Sequence, residues 1–218
     1  MITLPTCELT GILNDTIPFA LDDPEYPEWN CIRICWDGDQ LHTQARDEAH
    51  AAWSRWHPDD DPDQGSAQES LLEPYGGDDQ PWTVVIRLAD AKALTKMHKV
   101  DKKQMFAPVA IGEDAGNLRV HRNRQPGLMA ITTTIEGQEV KFPDLAAVVT
   151  QHDRADAVRT IAFTPGLIAH FGQVRPRGPM EVTFTGQRGP AIVAIGDRFT
   201  GLIQPVRAAV EQGLKAVA

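Results

Sequence analysis

The chain is poor in cysteine, with three in 218 residues: Cys7, Cys31 and Cys35. An odd count in a chain of this length argues against a fold held together by disulfides. Cys31 and Cys35 bound the segment CIRIC, whose alternation predicts a strand, and four strand residues span about 13 Å. That distance is too long for one disulfide or one metal ion to join the two sulfurs. We expect structural roles for these cysteines and no metal site.

Long hydrophobic runs and catalytic motifs are also missing. No apolar run approaches the roughly 20 residues needed to cross a bilayer. The first residues, MITLPTCELTGIL, lack the basic stretch of a secretory signal. There is no GxSxG, Walker-type or HExxH motif, and the seven histidines show no ligand spacing. We predict a soluble, cytoplasmic protein that is not an enzyme and needs no cofactor; an enzyme on a β-rich fold stays open, since catalytic groups can converge only in the folded chain.

Positive charge is in deficit, since 21 basic residues face 30 acidic ones and the net charge is −9. A protein of this balance does not grip DNA by bulk charge. The acidic residues crowd the first 80 positions, however, and residues 92–124 are basic. The sequence therefore predicts an acidic body that carries a local basic surface.

A pattern of one short helix followed by several strands recurs three times. Apolar residues at helical spacing predict helices at residues 6–19 and 90–103 and a third after Thr164, with Thr6 and Thr164 as N-terminal caps. Alternation and turn residues such as Asp37-Gly38 predict the strands between them. These strands lie in the ranges 31–36, 41–46, 49–57, 83–88, 108–122, 127–137, 158–163, 180–186, 191–196 and 198–206, and the range 108–122 holds two strands joined by a Gly-containing turn.

The predicted fold class is α+β, built from repeated helix-plus-strands modules. Residues 1–150 are expected to form a complete domain of two modules, joined by a mobile acidic connection at 58–80 that is rich in Pro, Asp and Gly. Residues 151–208 are expected to form a third module, equal to half a domain. Residues 209–218 are left as a C-terminal tail.

Three segments carry a resemblance to a known family. Residues 45–52, ARDEAHAA, are loosely similar to its segment Ala-Thr-Asp-Gly-His-Arg-Leu-Ala. Residues 135–145, IEGQEVKFPDL, resemble its Ile-Asp-Gly-x-Phe-Pro-Asp-Tyr with two extra residues. Residues 199–207, FTGLIQPVR, resemble its closing strand, which ends Leu-Met-Pro-Val-Arg. On these segments the chain resembles the DNA polymerase III beta-type sliding clamps, as a short and divergent member.

The resemblance implies a clamp fold with outer antiparallel sheets and inner helices, assembled as a ring around duplex DNA. It further implies that the three segments meet in a groove that receives short peptides of a DNA polymerase and of the clamp loader. Gln204 replaces the family's Met and Ala51 its Leu, which alters the pocket and leaves the preferred peptide open. The residues carried over to the groove are Arg46, Asp47, His50, Ala51, Phe142, Pro143, Val148, Leu202, Gln204, Pro205 and Arg207.

The resemblance also assigns the helices to the DNA side, where phosphates are contacted without reading sequence. On a helix at 90–103, lysines recur at i, i+4, i+7 and i+11, with Ala93, Leu94, Met97 and Val100 opposite. A basic helix face is more often only a solvated surface. The residues expected to contact DNA are Lys92, Lys96, Lys99, Lys102, Lys103, Arg175 and Arg177.

Ring arithmetic gives the expected assembly. Known clamps close with about twelve modules, so three modules per chain imply a tetramer, and a fourth module hidden in the acidic connection would imply a trimer. Closure would pair edge strands head to tail between subunits. Such a clamp would act at the nucleoid, or in the host cytoplasm if a phage encodes it. The alternative is a clamp-fold interaction protein or clamp inhibitor that does not encircle DNA.

Overall fold

The computed structural model describes residues 1–60, 76–77, 80–124, 127, 129–151, 161–175, 178–186 and 189–206. Most of the predicted acidic connection at 58–80 and the whole predicted tail at 209–218 lie outside these residues. The described residues contain four α-helices: α1 (Thr6–Thr16), α2 (Leu88–Met97), α3 (Leu145–Gln151) and α4 (Pro165–Phe171). Among them, no helix is long and apolar enough to cross a membrane.

The described strands form two antiparallel sheets. The strands are β1 (Ile2–Pro5), β2 (Cys31–Trp36), β3 (Leu41–Arg46), β4 (His50–Trp56), β5 (Gly76–Gly77), β6 (Trp82–Arg87), β7 (Pro108–Asp114), β8 (Asn117–Arg122), β9 (Ile131–Ile135), β10 (Met180–Phe184), β11 (Ala191–Ile195) and β12 (Phe199–Ile203). The larger sheet has the order β10-β11-β12-β4-β3-β2-β6, and the smaller sheet has the order β5-β1-β7-β8-β9. The predicted α+β class with antiparallel sheets is confirmed.

The predicted rhythm of one helix and several strands is visible in the element order. Helix α1 is followed by β2–β4, α2 by β7–β9 and α4 by β10–β12. We call these three stretches, with the strand that leads into each helix where there is one, units 1, 2 and 3. Units 1 and 2 exchange strands, because β1 of unit 1 pairs with β7 and β6 of unit 2 pairs with β2. Their helices α1 and α2 also pack together.

Helix α1 anchors the core. Its residues Leu9, Ile12 and Leu13 recur at helical spacing and are fully buried against the sheets. Thr43 on β3 donates a hydrogen bond of 2.6 Å from its hydroxyl to the backbone oxygen of Ile12. The helix therefore lies across the face of the larger sheet that carries Thr43.

The start of α1 differs from the prediction. Pro5 is the N-terminal cap, and Thr6 makes no capping bond; its backbone NH and its hydroxyl both donate to the backbone oxygen of Ala107. The NH of Cys7 donates to the oxygen of Met105 at 2.9 Å. Two of the free NH groups at the helix start are thus satisfied by the chain that leads into β7.

Helix α2 is shorter than predicted. It ends at Met97, and a separate 3-10 turn covers Lys102–Gln104. The chain has to turn here, because Met105 and Ala107 must reach the start of α1 to accept its NH groups. The buried stripe of α2 consists of Leu88, Ala91 and Leu94, followed by His98 just past its end, whereas Ala93 and Met97 of the predicted apolar face are exposed.

Two further elements departed from expectation. Residues 161–163 of the strand predicted at 158–163 belong to no strand, and the backbone oxygen of Ala162 accepts a hydrogen bond from Val206 instead. The helix α3 was not predicted at all. The NH of Ala147, in its first turn, bonds to the carboxylate of Asp144 at 3.0 Å.

Helix α4 is held against the larger sheet by a close approach. Phe171 lies directly over Gly201 of β12, where an added Cβ would stand 2.5 Å from the phenyl ring. Phe171 also packs edge-on against Phe19 at a ring separation of 4.9 Å. Gly201 is therefore required by packing, and unit 3 is joined to unit 1 through both β12–β4 pairing and this aromatic contact.

Candidate functional site

The pairing of β4 with β12 brings two of the predicted groove segments side by side. Ala51 pairs with Leu202 and, on its other side, with Arg46. Ser54, three residues from Ala51, faces α1 and donates to Asp15 at 3.0 Å. Because successive strand residues point to opposite faces, Ala51 and Leu202 lie on the side of the sheet away from α1.

The third groove segment closes over this outer face. Helix α3 and the residues before it pack on the sheet and form what we call the outer apolar cluster. In it, Ala51, Leu145 and Leu202 are buried, while Phe142 and Val148 are half-buried. The cluster comprises Ala51, Trp53, Phe142, Leu145, Val148, Val149, Ile192 and Leu202. Three segments far apart in sequence thus meet at one surface.

Polar groups border the outer apolar cluster. The guanidinium of Arg46 lies 5.9 Å from the centre of the Phe142 ring, a cation–π contact. Its buried Nε atom has no hydrogen-bond partner in the described part of the chain. The backbone NH of Gln204 donates to Ala49 at 2.8 Å, and the Gln204 side chain is exposed. Pro143 is half-buried and Pro205 buried beside them, while Arg207 lies outside the described residues.

The side chains of Asp47 and His50 are bonded within the chain and are not available to bind a peptide at the border of the outer apolar cluster. Asp47 accepts hydrogen bonds from the backbone NH groups of Ala49 and His50 and contacts the ring nitrogen Nδ1 of His50 at 2.7 Å. Burial alone would raise the pKa of Asp47, but the hydrogen bonds from His50 and its backbone lower it below the usual value. These two residues hold the β3–β4 turn in place.

The chain of contacts continues from His50 to His170 of α4. Nε2 of His50 lies 2.6 Å from Nδ1 of His170, so one ring must donate and the other accept. Burial and the nearby His50 lower the pKa of His170. The two rings cannot both be fully protonated without losing this contact between unit 1 and unit 3. The sequence separation of 120 residues gave no signal from which this pair could be predicted.

The predicted DNA-contacting lysines share a cleft, although not as one helix face. Lys96, Lys99 and Lys102 line a space of about 430 Å³ between α1 and the turn after α2. All three lysines are exposed. The other lining residues are Cys7, Thr10, Asn14, Thr95, Val100 and Met105. We call this the lysine cleft; it lies on the helix side, opposite to the outer apolar cluster.

Helix α1 presents a neutral surface to the lysine cleft. Its lining residues Cys7, Thr10 and Asn14 follow one another at i, i+3 and i+7. The two acidic residues of the helix are paired elsewhere: Glu8 with Arg198 at 2.9 Å, and Asp15 with Arg175 at 3.1 Å. No unpaired carboxylate of α1 therefore opposes the three lysines.

The remaining predicted DNA contacts are less free than expected. Arg175 lies across Gly11, and its Nε and Nη2 atoms donate to buried Asp15, so its charge serves a structural ion pair. Lys92 donates to the exposed Asp22 at 2.7 Å. The side chain of Lys103 and the whole of Arg177 lie outside the described residues.

The candidate sites show no feature of a metal centre. In the described ranges, no three His, Cys, Asp or Glu side chains converge as metal ligands. Cys7, Cys31 and Cys35 form no disulfide, and burial raises the pKa of the Cys31 thiol to about 11, which keeps it protonated.

Comparison with known proteins gives one consistent result. No family model matches the sequence, and no curated protein matches it. Solved structures of sliding clamps do match. The putative DNA polymerase III beta subunit of Eubacterium rectale has a TM-score of 0.71 at 11% identity, over 94% of this chain and 65% of that one. The beta subunit of Thermotoga maritima gives 0.68 at 11%, over 96% and 66%. The sliding clamp of Bacillus subtilis gives 0.68 at 15%, over 95% and 64%.

These likenesses extend over almost the whole chain, which spans only 64–66% of the length of the three clamps. At such low identity they establish architecture alone. The element order, the two antiparallel sheets and the packing of α1, α2 and α4 in one core agree with it. The chain therefore has the fold of the DNA polymerase III beta sliding clamps.

Proposed function

We propose that this chain is a subunit of a DNA sliding clamp, a ring that encircles duplex DNA without reading its sequence and tethers a polymerase. The observation that carries the proposal is the division of labour between the two sides of the larger sheet. The lysine cleft lies on the helix side and the outer apolar cluster on the opposite side. A ring that holds DNA on its inner side and binds a partner protein on its outer side needs this separation.

The lysine cleft suits a sliding surface. Three exposed ammonium groups beside a neutral helix can neutralise phosphates, and phosphate contacts carry no sequence information. The net charge of the whole chain is −9, so it weakens the attraction between these flexible lysines and DNA. Enclosure by the ring, rather than affinity, would keep the clamp on DNA. Weak contact leaves the ring free to slide.

The outer apolar cluster suits a short peptide with apolar anchors. Such a peptide needs an apolar surface and a few polar groups that fix its direction. Phe142, Val148 and Leu202 offer the first, and the half-buried guanidinium of Arg46 beside Phe142 offers the second. We place the clamp-binding peptides of the polymerase and of the clamp loader here.

The described chain has three helix-plus-strands units, which in a ring of about twelve give four chains. No strand of the described residues pairs with the outer edges of β9 and β10, which are therefore candidates for contacts between subunits. A tetramer remains the favoured assembly, with a trimer next.

Salt-dependent binding to a short linear duplex tests the DNA surface. The plot of log K against log salt has a negative slope, and the magnitude of this slope should decrease by about 3 when Lys96, Lys99 and Lys102 are all changed to Ala. Each of the three lost phosphate contacts contributes about 0.9 to it. Fluorescence anisotropy of a labelled duplex gives the slope.

The matched control is Lys141→Ala, an exposed lysine next to Phe142 in the segment that packs on the opposite side of the sheet. It should leave the slope unchanged. If the control weakens binding as much as the triple variant, the lysine cleft is not the DNA surface.

A further inference from the structure

The edge strand β10 carries an apolar face that nothing in the described chain covers. In its pairing with β11, Met180 stands opposite Ile195 and Val182 opposite Val193, so the paired side chains point to the same side of the sheet. Ile195 and Val193 are buried at 5% and 3% exposure, yet Met180 and Val182 are exposed at 51% and 38%. The core-facing surface of unit 3 thus continues past the part that is packed.

Units 1 and 2 show how such an edge is completed. The corresponding strand of unit 1, β2, is covered by β6, and the corresponding strand of unit 2, β7, is covered by β1. Each covering strand is the one that leads directly into the helix of the opposite unit. The exchange is reciprocal, and it brings α1 against α2.

Unit 3 has the parts for this exchange but no mate among the described residues. No described strand pairs with the outer edge of β10. Residues 161–164 lead into α4 as β1 leads into α1, and they pair with no strand of their own. Ile168 on α4 is 43% exposed. It is an apolar side chain on a helix that has no partner helix of the kind that α1 and α2 provide for each other among the described residues.

We propose that a second copy of this chain covers β10. The two copies of unit 3 would meet about a two-fold axis, with residues 161–164 of each pairing with β10 of the other. One unit 3 offers both a β10 edge that no described strand covers and a leading segment that belongs to no described strand, although its Ala162 bonds to Val206 of the same chain. Two copies can therefore complete each other in the same way that units 1 and 2 do. This also removes an exposed apolar edge, which otherwise invites aggregation.

The interface does not rest on the proposed function, since two copies can join this way whether or not they enclose DNA. It does restrict the assembly. A two-fold contact at unit 3 requires an even number of chains, so it allows a tetramer and excludes a trimer. In such a ring the head-to-tail contact is replaced by two alternating two-fold contacts, the second at the free edge of β9.

Sedimentation equilibrium of the full chain tests the inference. The wild type should have the mass of two or four chains, and both Met180→Asp and Val182→Asp should halve it, because a carboxylate at either position would be buried unpaired in the interface. Met97→Asp is the matched control, since Met97 is a methionine exposed at 41% on α2. It should leave the mass unchanged. A monomeric or trimeric wild type, or both β10 variants at wild-type mass, overturns the inference.

A second measurement covers the case in which a variant fails to fold. Amide hydrogen exchange of the wild type, followed on dilution, should show residues 161–164 and 180–184 losing protection together. Protection that is independent of concentration overturns the inference. The salt dependence of duplex binding that is due to the lysines separates the two proposals. A β10 variant that has half the wild-type mass but keeps this salt dependence supports the interface. A wild type of even chain number whose binding does not depend on the lysines contradicts only the proposed function.

Discussion

Single residues decide how the charge of this chain is distributed. The two acids of α1 do not oppose the lysine cleft, because Asp15 is held by Arg175 and Ser54 and Glu8 is held by Arg198. Arg175 can lie over the helix only because Gly11 has no side chain. The sequence shows the acids and the arginines, but the pairing across 160 or more residues is a property of the fold.

A second residue-scale feature is a pair of buried basic side chains. His98 and Arg122 are 0% and 4% exposed, and both ring nitrogens of His98 and two guanidinium nitrogens of Arg122 have no hydrogen-bond partner among the described residues. Burial, helped by the charge of Arg122, lowers the pKa of His98 to about 4. His98 lies between Lys96 and Lys99 in sequence, but it is buried and does not line the lysine cleft.

The pKa of His98 predicts an acid-sensitive fold. The unfolded chain takes up a proton at His98 below about pH 6.5, whereas the folded chain resists it until about pH 4, so stability falls as the pH is lowered through this window. Between pH 7.5 and pH 5 the contribution is roughly 2 kcal/mol. Urea unfolding at both pH values should show this loss in the wild type and a smaller loss in His98→Leu. His121→Asn, at a partly exposed histidine, should behave as the wild type, and an undiminished loss in His98→Leu would contradict the assignment.

At the scale of elements, local sequence patterns predicted the strands better than the helix ends. Asp37-Gly38 predicted the β2–β3 hairpin, and the structure has Gly38 at a φ of 105° with Asp37 accepting from the NH groups of Asp39 and Gln40. The β7–β8 turn likewise falls at Ala115-Gly116, both at positive φ. Such turns depend on residues adjacent in sequence, which is why the sequence suffices.

The end of α2 shows where sequence patterns fail. The lysine spacing continued past Met97, but contacts of Met105 and Ala107 with the start of α1 turned the chain away. The lysines nevertheless share one cleft, for a tertiary reason. The family resemblance pointed to Ala51, Phe142, Val148 and Leu202, which the structure brings into the outer apolar cluster. Leu145 of the same cluster was missed because α3 was not predicted.

The outer apolar cluster gives a prediction at this scale. Val148→Asp should weaken binding of a fluorescent clamp-binding peptide of a bacterial replicative polymerase at least tenfold, because it places a carboxylate where an apolar anchor would lie. Val140→Asp is the control, since Val140 is similarly half-buried but lies outside the cluster. Anisotropy titrations compare the two variants. If both bind the peptide with equal affinity, the outer apolar cluster is not the peptide-binding surface.

At the scale of the whole molecule, the overall charge and the length are the features that are hardest to interpret from the sequence alone. A net charge of −9 argues against a DNA-binding protein until the lysine cleft is located on the helix side. The chain spans about two thirds of the length of the matched clamps, and its described residues hold three helix-plus-strands units. Both points follow from where units and charges lie in space, which composition does not encode.

Electron microscopy of the purified full chain tests the central claim most directly. The account predicts closed rings of an even number of chains, with a hole wide enough for a duplex, the lysine cleft on the inner rim and the outer apolar cluster on the outside. Isolated particles without a hole, or rings whose inner rim is formed by the outer apolar cluster, would contradict it.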